Sequence, residues 1–254
     1  MRSTTPARTR SWLLLATLIL AGLPATNALE PLPMNTSPRN EMPPLASLSQ
    51  RQQALVPIAA FAASGNLERL KPALEAGLDA GLSISDVREV LLQLYAYAGF
   101  PRSLNALGQL MEVVQTRAAR GLHDDPGRQP STPAPQGEAL LKIGTDNQTV
   151  LAGAPVAGPL FDFAPVANTY LRTHLFGDIF ERDNLDWQSR ELATLSMLSM
   201  IEGADAQVIA HIGMSMNIGV GKDALAELAD TLETCVDAVP AQRVRQALQR
   251  KTQP

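Results

Sequence analysis

Four landmark residues of this chain recur at nearly one interval. Gly65 and Gly203, Gly81 and Gly219, and Glu89 and Glu227 are each 138 residues apart, and Pro101 and Pro240 are 139 apart. Glycine and proline punctuate helices and turns, so a shared spacing among them marks a repeated structural unit rather than a shared composition. Between these marks the apolar residues fall at helical spacing. Strand alternation is absent and aromatic residues are only 4% of the chain, which removes the usual material of a sheet. The expected fold class is therefore all-α: tandem duplicated helical-hairpin units packed as a pseudo-dimer. Neither hairpin can bury its apolar stripe alone, so each is expected to cover the other.

In the first unit the pattern predicts helices over about 50–63, 67–80, 84–98 and 101–119, with Ser83 as an N-cap and Pro101 in a first helical turn. In the second it predicts helices over about 162–181, 187–201, 205–218, 222–237 and 240–250, with Asp186 capping the second of these. Four prolines between Gly121 and Gly137 forbid a helix there. The expected organisation is a signal peptide over 1–28, an extended leader over 29–49, a first unit over 50–120, a Pro-rich linker over 121–160 and a second unit over 161–254.

The signal-peptide expectation rests on Arg2, Arg8 and Arg10 before an apolar run from Trp12 to Leu23, then Pro24 and the small-residue end Thr26-Asn27-Ala28. It implies cleavage near Ala28 and a periplasmic or secreted chain, with no membrane contact after cleavage. That cut removes three arginines and no acid, taking the formal charge from −4 to −7. An acidic chain without a basic block is a poor partner for nucleic acid. The single cysteine, Cys235, cannot form an intramolecular disulfide; lying in an apolar helical stretch, it is expected to be a buried, inert thiol.

Glu191 and His211 are the residues best suited to chemistry. Each stands in an otherwise apolar helix, where an ionisable group needs a partner or a task. A carboxylate beside an imidazole is the minimal device for moving a proton at carbon next to a carbonyl. The same two residues could equally be a buried hydrogen bond that locks two helices. The first unit has Gln53 or Ala54, and Ala73, at the matching positions. Arg190 offers a cation for a substrate carboxylate, or is an exposed arginine at a helix start. His174 and Asp178 are four apart on one helix face and can bond each other; two ligands do not make a metal site, so no metal is expected. Tyr95 and Tyr97, near the Gly99-Phe100-Pro101 turn, could wall a pocket. Met197, Met200, Met214 and Met216 suit core packing or a subunit interface, and His123 lies in the linker.

Residues 185–228 resemble the carboxymuconolactone decarboxylase and alkylhydroperoxidase-D superfamily. The likeness runs through Arg190-Glu191 opening a Leu/Ala-rich helix, the Gly203 turn, Gln207 then His211 on the next helix, and the Asn217-Ile218-Gly219-Val220 turn. Residues 171–187 are similar to the segment that leads into that unit, and residues 81–107, with a Tyr-x-Gly-x-Pro turn, to its other half. The resemblance implies the alkylhydroperoxidase-D-like fold, a catalytic role for Glu191 and His211, and assembly as a homo-trimer or other homo-oligomer; Arg190, His174, Asp178 and Tyr97 are the candidate substrate-binding residues beside that pair. The implied chemistry is cofactor-free acid/base turnover of a small organic acid or lactone. Two alternatives stand beside it: a relative of the peroxidase branch, and a non-catalytic oligomeric binding protein. The Cys-x-x-Cys pair of the peroxidase branch is missing, because Ala204 to Gln207 hold no sulfur. The arginine that the decarboxylase branch places two residues after the histidine is here Gly213.

Overall fold

The computed structural model describes residues 42–253; the expected signal peptide, and the leader as far as residue 41, lie outside the described residues. Among the described residues there are no β-strands, only one parallel bridge between Leu45 and Val220. The first repeat comprises α1 (Gln50–Ser64), α2 (Leu67–Asp79), α3 (Ile84–Gln93) and α4 (Tyr95–Ala119). The second comprises α8 (Trp187–Ser199), α9 (Asp205–Asn217), α10 (Lys222–Cys235) and α11 (Ala238–Thr252).

The repeated punctuation performs the same task twice. Gly65 and Gly203 close the first loop of each repeat at φ 75° and 79°, and Gly81 and Gly219 the second at 85° and 88°. These are left-handed conformations in which only glycine avoids a clash of its Cβ. Each repeat also opens on a side-chain cap: Ser49 receives the Gln52 N–H in a reciprocal capping box, and Asp186 receives the Ser189 N–H. These caps are 137 residues apart, which settles the matching of the two units: Arg190 corresponds to Gln53 and Glu191 to Ala54.

The core lies where α1 and α8 pack along each other. From Leu55 to Ala63, α1 is buried apart from Pro57, and all thirteen residues of α8 are buried. A helix enclosed on every side is normally apolar throughout; α8 instead carries Gln188, Arg190, Glu191, Thr194, Ser196 and Ser199. The segments leading into the two repeats are exchanged. Ahead of α1, Leu45 bonds the Gly219 carbonyl and the Gly221 N–H, and the Leu48 N–H bonds Glu227 at 2.7 Å. Ahead of α8, Arg182 bonds Glu89, and the Asn184 amide donates to Ser85. Each lead-in thus crosses to the other repeat, so neither copy is complete alone.

The structure departs from the predicted elements in three places. The 121–160 stretch is not all linker: α5 (Glu138–Ala152) is a full helix. Its inward face is Gly144, Asn147, Gln148 and Leu151, a helical spacing borne mainly by glycine and amides, which hydrophobic periodicity cannot register. The helix predicted over 162–181 is broken into α6 (Pro159–Phe163), α7 (Pro165–Tyr170) and a π-helical stretch, Leu171–Ile179. Gly144 lies so close to the Arg172 carbonyl that a Cβ there would overlap it, and the Asn147 amide donates to the Phe176 carbonyl at 2.8 Å. The widened turn is thus seated against α5. Finally, α3 ends at Gln93, and α4 is kinked at Gly99, whose φ of 82° and ψ of 161° are non-helical.

Candidate functional site

Glu191, in the second turn of α8, and His211, in the middle of α9, are brought together across the Gly203 turn. His211 Nδ1 lies 2.7 Å from Glu191 Oε2. Glu191 is fully buried and His211 is 6% exposed. The second carboxylate oxygen, Oε1, is buried without a hydrogen-bond partner, as is the Ser215 hydroxyl one turn beyond His211. With Nδ1 engaged, the remaining ring nitrogen, Nε2, makes no hydrogen bond to a described residue. Carboxylate–imidazole contacts of this kind fix the orientation of the ring and which of its nitrogens faces outward.

The group covering the histidine comes from the other repeat. The Tyr97 ring meets the His211 ring edge-on, with centroids 5.9 Å apart at 77°. Tyr97 belongs to the short turn Tyr95–Gly99, so the turn half of the first repeat and the Glu/His half of the second form one composite site. Burial, followed by the nearby Glu191 charge, pushes the Tyr97 phenol well above its ordinary range, and it stays neutral at any physiological pH. Its oxygen accepts a hydrogen bond from Thr194 at 3.2 Å, so its own proton is free to point elsewhere.

Behind Tyr97 runs a buried polar chain, of which the sequence had marked only Arg190, as a candidate cation, and Glu89, as a repeat position. The Gln93 amide donates to Thr194 Oγ1 at 2.7 Å and to the Arg190 carbonyl at 3.2 Å. Arg190 returns a bond to Gln93 Oε1 at 3.3 Å, and reaches Glu89 at 3.1 Å and the Arg182 carbonyl at 2.8 Å. Arg182 grips Glu89 with two bonds of 2.8 and 2.7 Å. Burial alone would raise the Glu89 carboxyl; Arg182, Asn184 and Arg190 overcome that and hold it at about 2. Burial lowers Arg190 while Glu89 raises it. A guanidinium remains charged regardless. The available signal was Glu89 itself, an acid in an apolar helix at one of the repeat-marking positions.

The other expected site residues are placed differently. Arg190 is not exposed at its helix start: it is wholly buried, and its charge is engaged by Glu89. His174 and Asp178 do bond each other, at 3.2 Å, but on the exposed face of the π-helical stretch. The Tyr95 phenol is raised by burial and then by the Asp178 charge. No cluster of three or more metal-binding side chains occurs among the described residues. Cys235, expected to be buried, is exposed at the end of α10. Residues two apart on a helix point to opposite sides, so a side chain at Gly213 would not adjoin His211; the Lys251 ammonium lies 3.1 Å from where its Cβ would be.

The sequence model of the carboxymuconolactone decarboxylase family matches residues 41–112 and 165–250, covering both repeats and the lead-in to each. No curated protein matches the chain. The two matched regions span more than half of the sequence, and the chain belongs to the carboxymuconolactone decarboxylase family as a tandem of two units.

Proposed function

We propose that this two-unit member of the carboxymuconolactone decarboxylase family is a cofactor-free acid/base catalyst acting on a small organic acid or lactone. The observation that carries the reading is the buried Glu191–His211 pair with one carboxylate oxygen left unpartnered. A contact serving only to lock helices would be expected to satisfy both oxygens, because an orphaned buried acceptor costs about 1–3 kcal/mol.

In this reading Glu191 holds the Nδ1–H of His211, and Nε2 removes a proton from a carbon next to the substrate carbonyl. The electron pair moves onto the carbonyl oxygen, which becomes an enolate, and the Tyr97 hydroxyl donates to that oxygen. Return of the proton from Nε2 to another carbon completes an isomerisation. The buried cation next to Glu191 in the chain, Arg190, is engaged by Glu89 and not held out for a substrate carboxylate, which favours a neutral or singly charged lactone over a dianion. Tyr97 must move for substrate to reach Nε2. The left-handed Gly99 beside it supplies the conformational freedom.

The test is solvent deuterium exchange at the α-carbon of a panel of unsaturated lactones and 2-oxo acids, followed by NMR. His211→Ala should remove exchange, and Tyr97→Phe should slow it by about 10²-fold or more, the range for loss of one enolate-stabilising donor. If no compound in the panel exchanges faster with wild-type protein than with His211→Ala, the catalytic reading fails.

A further inference from the structure

A duplicated chain offers two equivalent places for a site. Carrying the Glu89–Arg190–Tyr97 region through the repeat leads to a surface cavity of about 430 Å³ between α10 and the lead-in to α1. In it Glu227 stands where the first repeat has Glu89, and Gln53 replaces Arg190. Thr231 takes the place of Gln93, Cys235 that of Tyr97, and Leu48 that of Leu185.

The acid has been kept while both of its cations are gone. Glu89 is neutralised by Arg182 and Arg190; the corresponding residues facing Glu227 are Leu45 and Gln53. Glu227 takes one backbone N–H, from Leu48, on Oε2 at 2.7 Å. Its Oε1 has no partner, and no cation pairs with it among the described residues. The Gln53 amide is turned away to the Leu48 carbonyl at 3.1 Å. The neighbouring Asp230 shares Arg245 with Glu233, so Glu227 is the lining carboxylate that has no cation of its own. The hydroxyls of Thr231 and Thr234 donate to backbone carbonyls, which leaves their lone pairs to accept.

We infer that this cavity is a second binding site, for a small guanidinium-bearing ligand that pairs with Glu227 as the Arg190 side chain pairs with Glu89. The filled twin shows what chemistry complements this carboxylate: a planar cation with several N–H donors, which matches a carboxylate in fork geometry. The cavity has room for such a head group and a short chain. Ala54 and Ala73 occupy the positions of Glu191 and His211, so the site binds without the acid/base pair. The inference does not depend on the chemistry proposed above.

The experiment is calorimetric titration of the purified chain with methylguanidinium and with agmatine, using N-methylurea as the neutral isostere. Both cations should bind saturably and N-methylurea should not. Glu227→Gln should weaken the cations at least about tenfold, as expected for a charge-assisted bond. Gln53→Arg, which restores the internal guanidinium of the twin, should abolish their binding and raise the melting temperature. Absence of saturable cation binding up to about 10 mM, a range that detects even millimolar affinity, would overturn the inference. So would binding of N-methylurea on a par with the cations, or affinity unchanged in Glu227→Gln.

Discussion

Replacing His211 with alanine should cost far more stability than the lost ring volume, and the reason lies in Glu191. That carboxylate is fully buried, its one hydrogen bond goes to His211 Nδ1 at 2.7 Å, and its Oε1 already lacks a partner. His211→Ala therefore leaves a buried charge with no partner at all. Breaking a buried pair from one side costs about 3–5 kcal/mol. For a folded body of this size each kcal/mol moves the melting temperature by roughly 2–4 °C, so a fall of about 6–20 °C is expected in a thermal melt at pH 7.5. Adding Glu191→Leu, which removes the charge at similar volume, should recover most of the loss. A His211→Ala protein melting within about 2 °C of wild type, or one in which Glu191→Leu recovers nothing, would show that no unpaired charge is buried there.

The Glu89 carboxyl, held at about 2 against an ordinary 4.5, corresponds to about 3 kcal/mol of stability at neutral pH. That contribution is complete above pH 4.5 and lost as the pH falls toward 2, so urea unfolding should show a steep acid limb that flattens in Glu89→Gln; an unchanged limb would refute the assignment. Peroxide turnover with a dithiol donor should be no faster than in Cys235→Ala, because Cys235 is the sole cysteine and lies at the far end of α10; a rate that depends on Cys235 would contradict this. The chain should assemble as a trimer. The exposed Phe100, Leu104 and Met111 of α4 form an apolar stripe suited to a subunit contact; Leu104→Glu should weaken assembly, and a clean wild-type monomer in light scattering at micromolar concentration would sink the idea.

What could be read from the sequence was whatever the backbone itself demands. Gly65, Gly81, Gly203 and Gly219 announce their turns because left-handed φ angles leave little choice of residue, and Ser83 and Asp186 announce helix starts because orphan N–H groups need acceptors. The Glu191–His211 pair was visible because both residues break an apolar pattern. Arg190 and Glu89 break such patterns too, yet their partnership spans 101 residues in the chain, and no local rule connects them. The helix α5 escaped for the opposite reason: apart from Leu151 its inward face is glycine, asparagine and glutamine, so most of the residues that seat it look like surface.

The location of the polar chain also explains how a tandem chain can hold one Glu/His pair and still be a symmetric fold. Each site draws its Glu/His half from one repeat and its turn half from the other, as Tyr97 over His211 shows. A change in either copy therefore affects both sites, in different halves. Ala54 and Ala73 leave one site without the pair while Glu191 and His211 stand in the other, and Gln93, Tyr97 and Gly99 of the first repeat serve the site that has it. In the intact site a partly satisfied buried network would cost more than an apolar core, so Glu89, Arg182, Arg190, Gln93 and Thr194 are constrained as a group. In the twin site the alanine-rich α1 packs against α8 without such a network, and the same pressure does not act. Cys235, Gln53 and Leu45 stand there in place of Tyr97, Arg190 and Arg182, and Glu227 keeps a charge that its counterpart Glu89 shares with two arginines.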